Sequence, residues 1–559
     1  MSDSKPQSRS GRDSDLVHPS DPGTEVKEGE FWGVGAAEKT YEENDFQPAT
    51  EDQKLSYTPA RVTKNVYNEY PIDDDDFSVF CYFTDWAQYD ERYGNAPDQP
   101  PGSFATGGRG ADLMWLGQSS FDKIVIGFAA IIGDKGDKEV TINQAAMDFN
   151  LVADASELPD HKGELTFTDP WGDVASYINC GFDGWVGPED PTDYSPLFNA
   201  SSAQGVLGGL VKLKEAHPEK TIAFSLGGWT MSQAFHSVCQ DPVLRTRLVD
   251  GLAYILDNFP MFTHIDLDWE YPGSAGAGND FDEEDADNFA LLIQEIKAAY
   301  PSIGLSIAVA GDPEKIAAAK IPLLVEAGID GINLMSYDLF TVGTGISGNI
   351  GHHTNLKRDP NDEYSKYSID DAVNYMLDQG IDPKKIFVGF AGYSRSARQA
   401  NMTSVSPLTG TYDTEGLDTV GSFESAVTEW PDVIYNYLDL ERKTGLEGYV
   451  LYTDEVADAD FLYSRSNQVF MSIDTPRSVK AKAEYVKAKG LGGLFIWSAD
   501  QDNGLLTNAA CEGLGRTATT TVIEMEPFYF KGLTEEIRGD VPREPECVKL
   551  QRSKTKLKG

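Results

Sequence analysis

From residue 77 onward the chain alternates between short, continuously apolar runs and longer stretches in which apolar residues recur every three or four positions. The runs are Phe77–Phe83, Lys123–Ala129, Thr221–Trp229, Thr263–Glu270, Leu305–Val309, Gly331–Asp338, Ile386–Phe390 and Leu491–Trp497. Runs of this length, without alternation, predict strands buried on both faces. The intervening stretches predict amphipathic helices. One follows Asp241, a residue type that caps, and Pro242, and carries Leu244, Leu248, Leu252 and Ile255 on one face. A second carries Phe289, Leu292, Ile293 and Ile296, and a third runs through Ile316 and Leu324. Ser368-Ile369-Asp370-Asp371 reads as a capping box with Gly380 closing its helix, and Gly490 stops a helix from Pro476 to Lys489. Eight strands with helices between them predict a parallel sheet covered on both faces and closed into a (β/α)8 barrel. An open doubly wound sheet would need a phosphate-type glycine loop after its first strand, and Tyr82-Phe83-Thr84 offers none.

The pattern also sets the organisation. Residues 1–70 are polar and read as an extended or disordered arm, ending near the acidic tetrad Asp73–Asp76. The barrel spans 71–515. Within it, 394–474 loses the helical period and reads as a small α+β insertion after the seventh strand; 516–559 is a tail that ends rich in Lys. The stretch from the second strand to about Glu219 reads as long and irregular. Its Trp171 and Trp185 either wall a cleft or pack the loop onto the barrel.

Composition narrows the function. In 559 residues the net charge is -44, which argues against nucleic acid and anionic membranes as partners and favours solubility. No apolar run reaches the ~18 residues of a membrane span, and no ordinary secretory signal is visible at the start. That predicts a cytosolic protein, a mature sequence, or one exported by another route. Cys81, Cys180, Cys239, Cys511 and Cys547 show no metal-type spacing, and the seven histidines form no HExxH, so no metal or cofactor is expected.

The chemistry concentrates in His264-Ile265-Asp266-Leu267-Asp268-Trp269-Glu270. Alternation along a strand puts Asp266, Asp268 and Glu270 on one face, roughly 7 Å apart at about 3.3 Å of rise per residue. Three carboxyls in one apolar row cannot all ionise cheaply, so at least one is held protonated near neutral pH, ready to act as an acid. Other polar residues fall at strand ends, where barrels of this type place their sites: Tyr82, Ser225, Tyr337, Tyr393 with Arg395, and Trp497.

These motifs resemble those of family 18 glycoside hydrolases, the chitinases. The acidic run is similar to the family's DxxDxDxE, with Thr263 where the first Asp stands. Ser225-Leu226-Gly227-Gly228 resembles SxGG, and Met335-Ser336-Tyr337-Asp338 resembles MxYD. Trp497 resembles the tryptophan under the sugar at the cleavage point, although Ser498 follows it where some relatives have Glu. The resemblance covers about 77–510. The insertion resembles that of bacterial chitinases, and the N-terminal arm is similar to that of chitinases associated with insecticidal toxin complexes.

What the resemblance implies is a retaining, substrate-assisted hydrolysis of β-1,4 bonds between N-acetylglucosamine units. Glu270 would be the general acid and base, Asp268 would orient the acetamido group, Asp266 would share a proton with Asp268, and Tyr337 would donate to the acetamido oxygen. Trp86, Phe128, Trp229, Met335, Asp338, Tyr393, Arg395 and Trp497 would contact the sugars, together with Tyr82 and Ser225. Chitin and chitooligosaccharides are the implied substrates, and the acidity would attract partly deacetylated, cationic chitin. Toxin-complex subunits are implied partners through the arm, and the implied location is outside the cell after release by a route without a signal peptide. An endo-β-N-acetylglucosaminidase acting on N-glycans, or a chitin-binding lectin or assembly subunit on the same barrel, would share much of the pattern, but the lectin type lacks the acid that Glu270 supplies.

Overall fold

In a computed structural model, the described residues are 65–535 and 537, without 73–75, 90–110, 185–186, 191, 343–347, 361–366, 414–418, 423–424, 441, 447 and 536. Most of the N-terminal arm, Trp185, three residues of the acidic tetrad and the Lys-rich end lie outside them.

Eight parallel strands form a closed ring: β1 (Ser78–Thr84), β2 (Lys123–Ile131), β3 (Thr221–Gly227), β4 (Phe262–Asp268), β5 (Gly304–Ala310), β6 (Gly331–Met335), β7 (Ile386–Ala391) and β8 (Gly493–Trp497). The ring closes because β1 pairs on one side with β8, Phe80 opposite Phe495, and on the other with β2, Tyr82 opposite Val125. This is the (β/α)8 barrel that the apolar runs predict. Helices Pro242–Asn258 and Asp285–Ala299 cover the outside and bury the predicted stripes, Leu248, Leu252 and Ile255 on the first, Phe289, Leu292, Ile293 and Ile296 on the second. Asp241 caps the first by accepting from the Val243 amide.

Three local expectations change. The stretch after β2 is ordered: helix Glu139–Asp148, a short strand Leu165–Phe167 antiparallel to β2, and helices Pro170–Val174 and Gly205–Ala216. The last helix was hidden by its glycines. They are there because a Cβ on Gly208 would meet the Ala203 carbonyl at 2.2 Å and one on Gly209 the Leu113 side chain at 2.7 Å. The helix through Ile316 and Leu324 is two, Pro313–Ala318 and Ile321–Ala327, broken at Lys320, whose φ is 48°. Ser368 does cap helix Ile369–Asp378, accepting from the Asp371 amide, but the Asp371 carboxylate turns to Ser368 Oγ (2.6 Å) and Arg358 (2.7 Å) instead of the backbone.

After β7 the chain leaves the barrel. Strands Arg395–Arg398, Val450–Asp454, Ala459–Ser464 and Val469–Ile473 make a four-stranded antiparallel sheet with its own core, which includes Phe340, Tyr452, Phe461 and Phe470. The chain returns through helix Pro476–Lys489, and buried Lys482 bonds Asp474 at 2.6 Å where insertion and barrel meet. Farther on, Leu533 adds to the free edge of the sheet, its amide bonding the Leu451 carbonyl and its carbonyl accepting from Thr453. Residues 65–70 lie against 503–523 through Val66, Asn68 and Asn508.

Candidate active site

Asp266 occupies the axis of the barrel and is fully buried. Its Oδ2 accepts from the Tyr82 and Ser225 hydroxyls, both at 2.8 Å, and its Oδ1 accepts from Ser306 Oγ at 2.6 Å and Asn333 Nδ2 at 2.9 Å. The donors come from β1, β3, β5 and β6, so one carboxylate ties four strands together. Two donors on each oxygen leave Asp266 an acceptor only. Among the described residues no hydrogen bond joins it to Asp268.

Two residues along β4, Asp268 is also buried, and its Oδ1 has no hydrogen-bond partner among the described residues. Burial first, then Glu270 and Asp266, push its carboxyl well above the usual range. Glu270 lies just past the strand and is 7% exposed. Burial raises it to about 7; a hydrogen bond with Tyr271 and the charge of Lys315 work against the rise, while Asp338 adds to it. Ser232 fixes the turn between the two carboxyls, its hydroxyl accepting the Glu270 amide at 3.0 Å and donating to the Asp268 carbonyl at 3.1 Å.

The opposite wall comes from the ends of β6 and β7. Arg395 forks onto Asp338, Nε to Oδ1 at 2.6 Å and Nη2 to Oδ2 at 2.7 Å, and the Tyr393 hydroxyl donates to Oδ1 at 2.9 Å. Burial alone would raise Asp338, but Arg395 and His353 more than offset it and hold the carboxylate well below its usual range. His353, fully buried, stands 3.7 Å from Asp338 and packs its ring 5.4 Å from that of Tyr393. Tyr337 is buried with its ring 6.1 Å from Tyr393 and 6.2 Å from Phe495. Burial raises its hydroxyl, and Tyr393, Asp268, Asp338 and Glu270 add to the rise, so it stays a donor.

The floor is aromatic. Trp497 stacks on Phe128 with centroids 5.7 Å apart and meets Tyr82 at 5.5 Å. Trp86 packs in the same cluster as Phe128, and Met335 in that of Tyr82. Trp229 is 53% exposed with its ring 6.5 Å from Tyr271, bare enough to receive a ligand. The peptide bonds Gly127–Phe128, Glu270–Tyr271 and Trp497–Ser498 around this floor are cis.

All fourteen residues singled out from the sequence therefore sit at or near the C-terminal mouth of the barrel. Of the two departures from the motifs, Thr263 lies away from the mouth and Ser498 lies at it, directly after Trp497. Thr263 is exposed and bonds His264 at 3.0 Å, at the far end of β4. Ser498 is buried and opens a short helical turn with Gln501, whose amide reaches Glu429. Sequence reasoning missed Ser232, Tyr271, Ser306, Lys315, Asn333 and His353. Ser306 and Asn333 had a signal: a lone polar residue at an inward position of an otherwise apolar strand. A separate group, His236, Asp282 and Asp285, is close enough to hold a cation. Asp285 is already engaged within the protein: it bonds His236 at 2.7 Å and accepts the Gly273 and Asp282 amides.

Comparison with known proteins places this geometry in a lineage. Residues 78–502 match Glycosyl hydrolases family 18. The chain is 47% identical over 545 residues to Chitinase 1 of Yersinia entomophaga, covering 96% of this chain and 98% of that one. It is 38% identical over 529 residues to Chitinase 2 of the same organism, covering 89% and 81%. Among solved structures it superimposes on the chitinase Chi1 fitted into the Yersinia entomophaga toxin complex with a TM-score of 0.81, at 48% identity, covering 89% of this chain and 96% of that one.

Proposed function

The chain belongs to family 18 of the glycosyl hydrolases, and we propose that it is a chitinase that cleaves β-1,4 bonds between N-acetylglucosamine units with retention, using the substrate's own acetamido group as nucleophile. The observation that carries this reading is the Asp268–Glu270 pair. One buried carboxyl is raised to about 7, and the other keeps an oxygen with no hydrogen-bond partner among the described residues.

Glu270, protonated, gives its proton to the glycosidic oxygen as the bond from that oxygen to the anomeric carbon breaks. The acetamido oxygen of the same sugar forms the new bond to that carbon, giving an oxazolinium ion. Asp268 Oδ1 accepts the acetamido N–H, which orients the oxygen for attack and supports the developing positive charge. Tyr337 donates to the acetamido oxygen. Glu270, now a carboxylate, takes a proton from water, and the resulting hydroxide opens the ring with net retention and returns Glu270 to its acid form. Asp266, locked by four donors, holds the base of the row beneath Asp268. Trp497 and Phe128 carry the distorted sugar, at a cost of about 1–5 kcal/mol supplied by binding along the cleft. Asp338 and Arg395 hold the opposite wall in shape.

Glu270→Gln keeps the hydrogen bonds and removes the proton. It should lower hydrolysis of a fluorogenic chitobioside by about 10²–10⁴-fold while chitooligosaccharide binding persists. Activity retained in that variant, or product released with inverted configuration, would sink the assignment. The near-complete mutual coverage with a chitinase fitted into a toxin complex supports a further reading, that this chain also joins a larger assembly through its terminal segments. Co-purification with the corresponding large subunits, lost when residues 1–64 are removed, tests it.

A further inference from the structure

We infer that Lys315 is a positioning residue for the general acid: its ammonium, seated on the face of Tyr271, holds the Tyr271–Glu270 pair in place and sets the pH at which hydrolysis fails. This rests on the reading of Glu270 as the acid.

Lys315 belongs to the first of the two short helices after β5, an element that contributes nothing to the carboxylate row itself. Its Nζ lies 3.9 Å from the centroid of the Tyr271 ring, a close cation–π contact. Among the described residues no carboxylate lies within salt-bridge reach of it, so the positive charge is not spent on a surface pair. Tyr271 is the neighbour of Glu270 in the chain and its hydrogen-bond partner. Tyr271 therefore links the two: its ring carries the cation and its side chain bonds the acid. The surroundings are apolar: Trp269, Phe289, Ile307 and Val309 line the same small cavity as Tyr271 and Lys315. In such a setting an unpaired charge acts over a longer distance than it does in water.

The groups that face Glu270 divide by sign. From the end of β4 comes Asp268, and from the end of β6 comes Asp338, itself paired with Arg395 and backed by His353 and Tyr393. Tyr337 and Tyr271 are neutral, their hydroxyls raised by burial. Lys315 is a cation with no salt bridge to a carboxylate among the described residues, although Asp312 nearby acts on it. Its contribution opposes the rise that burial imposes on Glu270. Without it, Glu270 would hold its proton to higher pH, and Tyr271 would lose the charge that pins its ring.

The test is the pH profile of kcat/KM on a chitooligosaccharide for the full chain and for Lys315→Met and Lys315→Arg. In the unaltered protein activity falls as pH rises through the Glu270 value, near 7. Lys315→Met should move that alkaline limb upward by about half a pH unit or more. Lys315→Arg, which keeps the charge and the ring contact, should restore it. A merely structural lysine would change the melting temperature or KM and leave the limb where it was. A limb that stays in place in a folded Lys315→Met variant overturns the inference. Glu270→Gln separates the two claims: if that variant is inactive while the limb ignores Lys315, only the role of Lys315 falls, whereas an active Glu270→Gln variant removes the premise.

Discussion

The amide nitrogen of Asn333 lies within hydrogen-bond distance of three buried oxygens: the Tyr82 hydroxyl at 2.8 Å, Asp266 Oδ1 at 2.9 Å and Ser306 Oγ at 3.2 Å. It is the residue on which the cradle of Asp266 converges. Asn333→Ala removes one of four donors from a buried carboxylate and leaves polar neighbours short of a partner, a loss of about 1–3 kcal/mol. The melting temperature should fall accordingly. Because the displaced charge lies next to Asp268 rather than at a sugar-binding surface, kcat should fall by a larger factor than KM rises. Steady-state kinetics that show only a KM effect would contradict this arrangement. Asn333 also marks the limit of what the sequence discloses at this scale. Asp266, Asp268 and Glu270 announce themselves because three acids in an apolar run have no structural excuse. A single Asn or Ser on a strand has several, and only ring closure reveals that Ser306 and Asn333 point at the same carboxylate. His353 and Lys315 gave no signal at all, since they reach the site from loop and helix positions whose separation in sequence says nothing about distance.

The elements were more legible than the residues. A strand in a closed barrel is buried on both faces, so it reads as an unbroken apolar run, and all eight runs became barrel strands. What misled was local punctuation put to another use, as with the glycines of helix Gly205–Ala216, which serve close packing and not chain reversal. The same distinction makes a sharp prediction at the seam between β8 and β1. Gly493 has φ of 150°, and a Cβ there would stand 1.9 Å from the Ser78 carbonyl oxygen, inside the pairing that closes the barrel. Gly493→Ala must push β1 and β8 apart and should destabilise the fold by more than about 3 kcal/mol, well beyond an ordinary substitution. Gly490, three residues earlier, has φ of 67° at a helix end with open space around it. Gly490→Ala should therefore cost only about 1 kcal/mol. Denaturant titration of the two variants checks the contrast, and equal losses would mean that the seam is not as tight as its geometry requires.

At the scale of the whole molecule, the net charge of -44 and the buried carboxyls act in the same direction. Beside the floor of the site, Asp85, Asp169 and Asp173 form a second acidic group away from the catalytic row. Asp85 and Asp173 are pushed well above the usual range, by burial first and then by their acidic neighbours, and Asp169 is raised by burial. Asp268 behaves likewise. An acid whose folded value exceeds its unfolded value of about 3.9 stabilises the fold fully below that pH, and the benefit is lost as pH rises through the folded value. Acids held low do the opposite. Asp338 lies below its usual range, and Asp454 is brought down to about 2 because His352 and its other hydrogen-bond partners outweigh burial, so both contribute stability that disappears as pH falls. Between these limits the melting temperature should peak at mildly acidic pH, about 4–6. It should be a few degrees lower at pH 8.5, where the surface repulsion of an acidic chain is also greatest. Salt should narrow that gap by screening the surface charges without touching the buried ones, whereas Asp85→Asn, neutral at every pH, should flatten the slope even at high salt. A melting temperature that climbs steadily from pH 5 to 8.5, or a slope unaffected by Asp85→Asn, would show that these carboxyls ionise freely in the folded protein despite their burial.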